Sequence, residues 1–132
     1  MNYYLDTDIC IYALKGKFPA IKDQLRLLSP NHIKIASIVK AALWLGVCHS
    51  SDPKRTGLAV EQFLEPFEVV PFDGSCAMVY SKIRWELEKK GHSIDPNDLL
   101  IAATVLTHNG TLITHNTKEY NRVSHLKIQD WI

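Results

Sequence analysis

Residues 3–14 read YYLDTDICIYAL. The run Tyr3-Tyr4-Leu5 is short, apolar and β-prone, Asp6 closes it, and an apolar helical stretch follows. A strand over residues 3–6 passes directly into a helix over residues 9–14, with Asp6, Thr7 or Asp8 as its cap and Gly16 as its break. The remainder of the chain repeats this alternation. Residues 20–28 carry Ile21, Leu25 and Leu28 at helical spacing, and Ser29-Pro30 ends that helix. A short strand over residues 33–35 precedes a helix capped by Ser37 and running to residue 48. Pro53 follows Ser51 and Asp52 and starts a helix over residues 53–64. A strand over residues 67–71 leads to a long helix, 75–90, capped by Asp73 and stopped by Gly91. Asp95 caps and Pro96 starts a helix over residues 96–107. Asn109-Gly110 turns the chain into a strand over residues 111–114. A short helix at 117–120 and a strand at 126–128 complete the pattern. Short strands separated by helices predict a parallel sheet with helices on both faces. Such sheets place ligand sites at the carboxyl ends of their strands.

The 132 residues suit a single domain, 1–132, with 46% hydrophobic and 22% charged residues. The formal charge of +1 supplies no global basic field, so nucleic-acid contact must come from local patches. Cys10, Cys48 and Cys76 lie in apolar helical stretches without CxxC spacing, which predicts three buried thiols in a reducing cytoplasm. No basic-then-apolar leader opens the sequence and no run approaches the ~20 apolar residues of a membrane span. The expectation is a cytoplasmic protein with no membrane partner.

Two acids stand where elements meet. Asp6 ends the first strand, and Asp98 lies in the first turn of DPNDLLIAATVL, residues 95–106. Acids gathered at one sheet edge can hold a hard divalent cation. Both positions also have a plainer use, since an Asp after a strand caps the next helix and an acid in a first turn suits the helix dipole. Asp95 already serves as cap, so two acids in that turn exceed what capping needs. Asp8 is read as a cap. Asn116 and Glu119 lie just past a strand end in THNTKEY, residues 114–120, where a solvated turn is the simplest account. Of the six histidines only His115 falls beside this region, and none shows HExxH or Cys-His zinc spacing. There is no P-loop and no GxGxxG, and GVCHS lacks the GxSxG of a nucleophile elbow.

Several separate segments, in order, resemble the PIN-domain ribonuclease toxins of the VapC type. They are YLDTDICIYALKGKFP, IKIASIVKAALWLG, FEVVPFD, IRWELEKKGHSIDPNDLLIAA, LITHNTKEYNRV and LKIQDWI. The resemblance implies an α/β fold, a three-layer α/β/α sandwich around a short, mainly parallel sheet of four to five strands. It implies Mg²⁺-dependent cleavage of RNA, often tRNA, with Mn²⁺ as the alternative ion. It also implies silencing by a VapB-type antitoxin, a homodimer within a higher toxin–antitoxin complex, and DNA contact only through the antitoxin.

Carried over by position, Asp6 and Asp98 match the metal-binding acids of that family. Asn116 and Glu119 fall in the segment that supplies its more variable polar groups. Thr7, Ser37 and Thr114 match small hydroxyl residues that line the pocket, and Asp8 adds a carboxylate where an Asn is common. The family's second acid is a glutamate in a KAELxxG-like segment. Here residues 40–46 read KAALWLG, so Ala42 stands in its place. The resemblance thus implies a site missing one catalytic acid and an activity lowered by orders of magnitude, whether Ala42 was introduced deliberately or arose by natural decay.

Two other functions compete. One is a catalytically dead PIN protein that binds antitoxin and regulates through it. The other is a phosphotransfer domain, since LDTD resembles the DxD of haloacid-dehalogenase-like phosphatases. Cys10 stands where that motif expects Thr or Val, and the chain is short for that fold.

Overall fold

The computed structural model describes residues 1–132. Its strands are β1 (Tyr3–Leu5), β2 (Ile33–Ala36), β3 (Glu68–Val70), β4 (Thr111–Ile113) and β5 (Lys127–Gln129). They form one sheet in the order β3-β2-β1-β4-β5, with every neighbouring pair parallel. The helices are α1 (Thr7–Lys15), α2 (Pro19–Leu27), α3 (Ser37–His49), α4 (Pro53–Leu64), α5 (Gly74–Lys89), α6 (Pro96–Thr107) and α7 (Thr117–Tyr120), with a 3₁₀ turn at Pro30–His32. Successive strand residues point to opposite faces, yet Tyr4 and Leu5 in β1, and Leu112 and Ile113 in β4, are all buried. Both faces are therefore covered by helices, giving the expected α/β/α sandwich.

Strands of three or four residues bury little, so helices supply much of the core. In α6, Leu99 and the run Ile101 to Val105 are buried. The helix is enclosed on nearly every side, which fixes its first turn in place.

The sheet grows outward from β1. The chain adds β2 and then β3 on one side, and the α5–α6 crossover returns it to lay β4 on the other. The strand order reverses between β1 and β4, at the switch point where such sheets bind ligands. Asp6 follows β1 there and Thr114 follows β4.

Two expectations need correction. Ser37 does not cap α3: Ala36 is the capping residue and makes no side-chain cap bond. The Ser37 hydroxyl instead accepts the backbone N–H of Phe72 at 3.2 Å, tying α3 to the loop after β3. Cys10 and Cys76 are buried, but Cys48 is exposed. The helix α3 is apolar almost all the way round, so its pattern does not reveal which face meets the core. Strand ends are also shorter than the apolar runs by a residue or so. Asp6, for example, leaves the ladder as the cap of α1.

Candidate functional site

Asp6 is held rigidly. Its backbone N–H donates to Ile113 O at 2.8 Å, extending the sheet pairing by one bond. Its Oδ1 accepts the Thr7 N–H at 2.9 Å, and its Oδ2 accepts the Thr114 hydroxyl at 2.7 Å. The side chain is buried, and its carboxyl is pushed up to about 6, first by burial and then by the charge of Asp8. The bonds from Thr114, Thr7 and Tyr120 pull the other way without cancelling this.

Asp98 emerges from the first turn of α6. Asp95 takes the capping duty, accepting the Asn97 N–H at 2.8 Å, so the Asp98 carboxylate is not used as a cap. It is half-buried and likewise pushed up to about 6, by burial and then by the charges of Asp6 and Glu119. Asp98, Thr7 and Ala42 line one cavity of about 500 Å³, with Asn97 and Ile101 also on its wall. The position expected to lack an acid therefore faces the same space as Asp98. Ala42 also borders an adjoining groove of about 590 Å³ between α1, α3 and α4, lined by Ile11, Leu14, Val47 and Val60 among others.

The remaining expected residues divide. Thr114 joins the site through Asp6. Asn116 Nδ2 donates to Glu119 Oε2 at 2.7 Å, and Glu119 Oε1 accepts the Asp95 N–H at 3.1 Å. One Glu119 oxygen thus braces the entrance to α6 and the other bonds Asn116 at the start of α7, and Glu119 acts on Asp98 through its charge. Asp8 accepts from its own turn, at Ile9, and from the His115 N–H at 3.2 Å. The His115 ring faces Asp130 at 2.9 Å. Ser37 stays apart, bonded to Phe72.

Tyr120 is the residue that sequence reasoning missed. Its ring is fully buried, and its hydroxyl donates to Asp6 Oδ1 at 3.3 Å. The only signal was its place directly after Glu119.

The donors suit a hard cation in kind. They are carboxylate oxygens, pushed toward protonation by burial and by one another, and a divalent ion would relieve that repulsion. They fall short in number, since no three His, Cys, Asp or Glu side chains converge to hold a metal.

Comparison with known proteins places these features in context. Residues 3–126 match the model of the PIN domain. The chain is 39% identical to ribonuclease VapC2 of Rickettsia felis, over 99% of this chain and 98% of that one. It is 30% identical to the tRNA(fMet)-specific endonuclease VapC of Shigella flexneri, again over 99% and 98%. Among solved structures it is similar to VapBC2 from Rickettsia felis bound to a DNA fragment from its promoter, with a TM-score of 0.94, 38% identity and full coverage of both chains.

Proposed function

This chain belongs to the PIN-domain family, among its VapC ribonucleases, and from that premise we propose that it is the toxin of a toxin–antitoxin pair whose RNA-cleaving centre is Asp6 and Asp98, weakened by Ala42. The observation that carries the reading is the shared cavity: Asp98, Thr7 and Ala42 line one space, beside a buried Asp6 at the sheet's switch point.

Asp6 and Asp98 are the groups that would hold Mg²⁺, with Mn²⁺ as the alternative. A bound divalent ion acidifies a water and offsets charge at the scissile phosphate. The chain's own residues supply the rest. Thr7 and Thr114 orient the Asp6 carboxylate, leaving no rotation to be lost when it binds. Thr7 also presents polar atoms to the cavity where a phosphate oxygen would lie. Ala42 offers only a methyl group, so no carboxylate from α3 binds or orients the attacking water. Loss of one such group typically lowers turnover by about two to four powers of ten.

RNA is the substrate class in this reading, and tRNA the kind that the Shigella flexneri relative's name favours. The partner is a VapB-type antitoxin, with toxin homodimers inside a larger complex that reaches DNA through the antitoxin, as the promoter-bound Rickettsia felis complex suggests. The groove beside Ala42 is apolar with Lys15 and Arg55 at its edge. An amphipathic antitoxin segment would cover it. A second reading, an antitoxin-binding protein without catalysis, draws on the missing third acid.

Growth of a bacterial host separates the two. Induction of Ala42→Glu is expected to arrest growth, and induction of the parent to do so weakly. Antitoxin co-expression relieves the arrest, and Ile11→Glu in the groove blocks that relief. Antitoxin binding by an Ala42→Glu protein that neither arrests growth nor cuts RNA establishes the second reading instead.

A further inference from the structure

A net charge of +1 gives the chain no global basic field, so any contact with nucleic acid falls to a local patch. One such patch lies away from the two acids. Where α5 ends and the chain has left α7, Glu86, Lys89, Lys90, Ser124 and His125 line a cavity of about 520 Å³ with no apolar residue on its wall. Neither lysine is neutralised, since the chain's ion pairs are Lys34–Glu68, Arg84–Glu88 and His115–Asp130. A lysine in a last turn suits the helix dipole. Two lysines, a histidine and a hydroxyl around one cavity exceed that need. His125 takes a positive φ of 67°, where glycine would be unstrained, and it is exposed. The backbone asks for glycine there and the core asks for nothing, yet an imidazole stands at the cavity.

The cavity is tied to the candidate centre. Arg122 Nη1 donates to Ser93 O at 3.1 Å, and Glu119 accepts the Asp95 N–H. The segment that carries Ser124 and His125 is thereby fastened to the turn that enters α6. Lys90 lines this cavity, and Asp95 lines the one shared by Asp98 and Ala42. The two residues are five positions apart, a reach of at most ~18 Å. A strand of a few nucleotides spans that distance. The wholly polar wall suits a phosphate better than a protein partner, whose contact core is apolar and aromatic. Lys89 also lies over the exposed Trp85 ring, 5.8 Å from its centroid, and an exposed ring beside a cation suits an unpaired base.

We propose that this cavity is a phosphate subsite for the RNA strand, separate from the cleaving centre. Lys89 and Lys90 hold a backbone phosphate, Ser124 and His125 offer it hydrogen bonds, and Glu86 limits the affinity. The inference rests on the reading of the chain as an RNA-cleaving protein.

Binding of labelled tRNA to the full chain tests it, with Mg²⁺ present and over a range of salt concentrations. The proteins compared are the parent, the double variant Lys89→Gln with Lys90→Gln, and Glu86→Gln. The double variant is expected to bind tRNA about tenfold more weakly. The slope of its log affinity against log salt should shrink by about 1. Glu86→Gln should bind tRNA severalfold more tightly, because it removes the one negative charge at the cavity. Melting temperatures and antitoxin binding should match the parent's. Parent-like tRNA binding by the double variant overturns the subsite and leaves the RNA reading standing. Absence of tRNA binding by both the parent and Ala42→Glu overturns the two together. Weakened antitoxin binding with tRNA binding unchanged gives the cavity to the antitoxin and overturns the proposal. Should the double variant fail to fold, Glu86→Gln decides alone: tighter tRNA binding upholds the subsite, and unchanged or weaker binding overturns it.

Discussion

At the scale of the residue, the two acids cost the fold stability at neutral pH. Asp6 and Asp98 both have carboxyls raised from the ordinary 3.8 to about 6. The folded state therefore holds their protons more tightly than the unfolded chain does. Their contribution to stability is complete below the ordinary value and declines as pH rises through about 6. Asp98→Asn keeps the shape and removes one charge. It should raise the melting temperature at pH 7.5 and leave it nearly unchanged at pH 3.5. Solvent screens the half-exposed Asp98, so the gain is modest, about 3 °C for a domain of this size. Thermal scans of parent and variant at the two pH values measure this, and a variant less stable at pH 7.5 contradicts the crowding argument. Asp6 and Asp98 were legible from their places after a strand and inside an already capped turn. Tyr120 was not, because no local pattern says which core ring carries a hydroxyl toward an acid 114 positions away.

At the scale of the element, legibility followed punctuation. The helices at Pro53–Leu64, Pro96–Thr107 and Thr117–Tyr120 fall where the sequence places them. In the first two, an Asp cap followed by proline marks the start unambiguously. Strand limits were less legible, since a parallel strand ends where its neighbour stops pairing rather than where its apolar run stops. Ser37 misled for a related reason: a serine before a helix predicts a cap, but the Phe72 N–H competes for its oxygen. The Asn109-Gly110 turn shows the opposite case, where a local signal and a tertiary demand agree. Asn109 takes the positive φ of 52°, while Gly110 is needed for space. A Cβ on Gly110 would come within 2.5 Å of the buried Tyr4 ring. Gly110→Ala should therefore destabilise the protein by roughly 1–3 kcal/mol, the usual cost of overpacking. Chemical denaturation measures it, and a neutral outcome shows that β1 and β4 have slack at their amino ends.

At the scale of the whole molecule, the sheet order explains the arrangement of the site. Asp6 and Thr114 meet because β1 and β4 are adjacent at the reversal of strand order. Asp98 joins them because the buried α6 runs back along that same crossover. Ala42 comes from the opposite arm, on the helix after β2, and closes the cavity from the far side. The parallel sheet was legible in the alternation of short strands and helices. The convergence of three arms on one cavity was not, since crossover packing depends on burial that no single segment encodes. A net charge of +1 leaves the molecule without a strong field of its own, so catalysis depends on the site being complete. The most direct measurement is cleavage of purified tRNA by the parent, Ala42→Glu, and Ala42→Glu with Asp98→Asn, each with Mg²⁺ and with chelator. The account predicts that Ala42→Glu cuts at least ~100-fold faster than the parent, only with the metal, and that Asp98→Asn abolishes the gain. Equal cutting by parent and Ala42→Glu, or cutting that survives both chelator and Asp98→Asn, contradicts it.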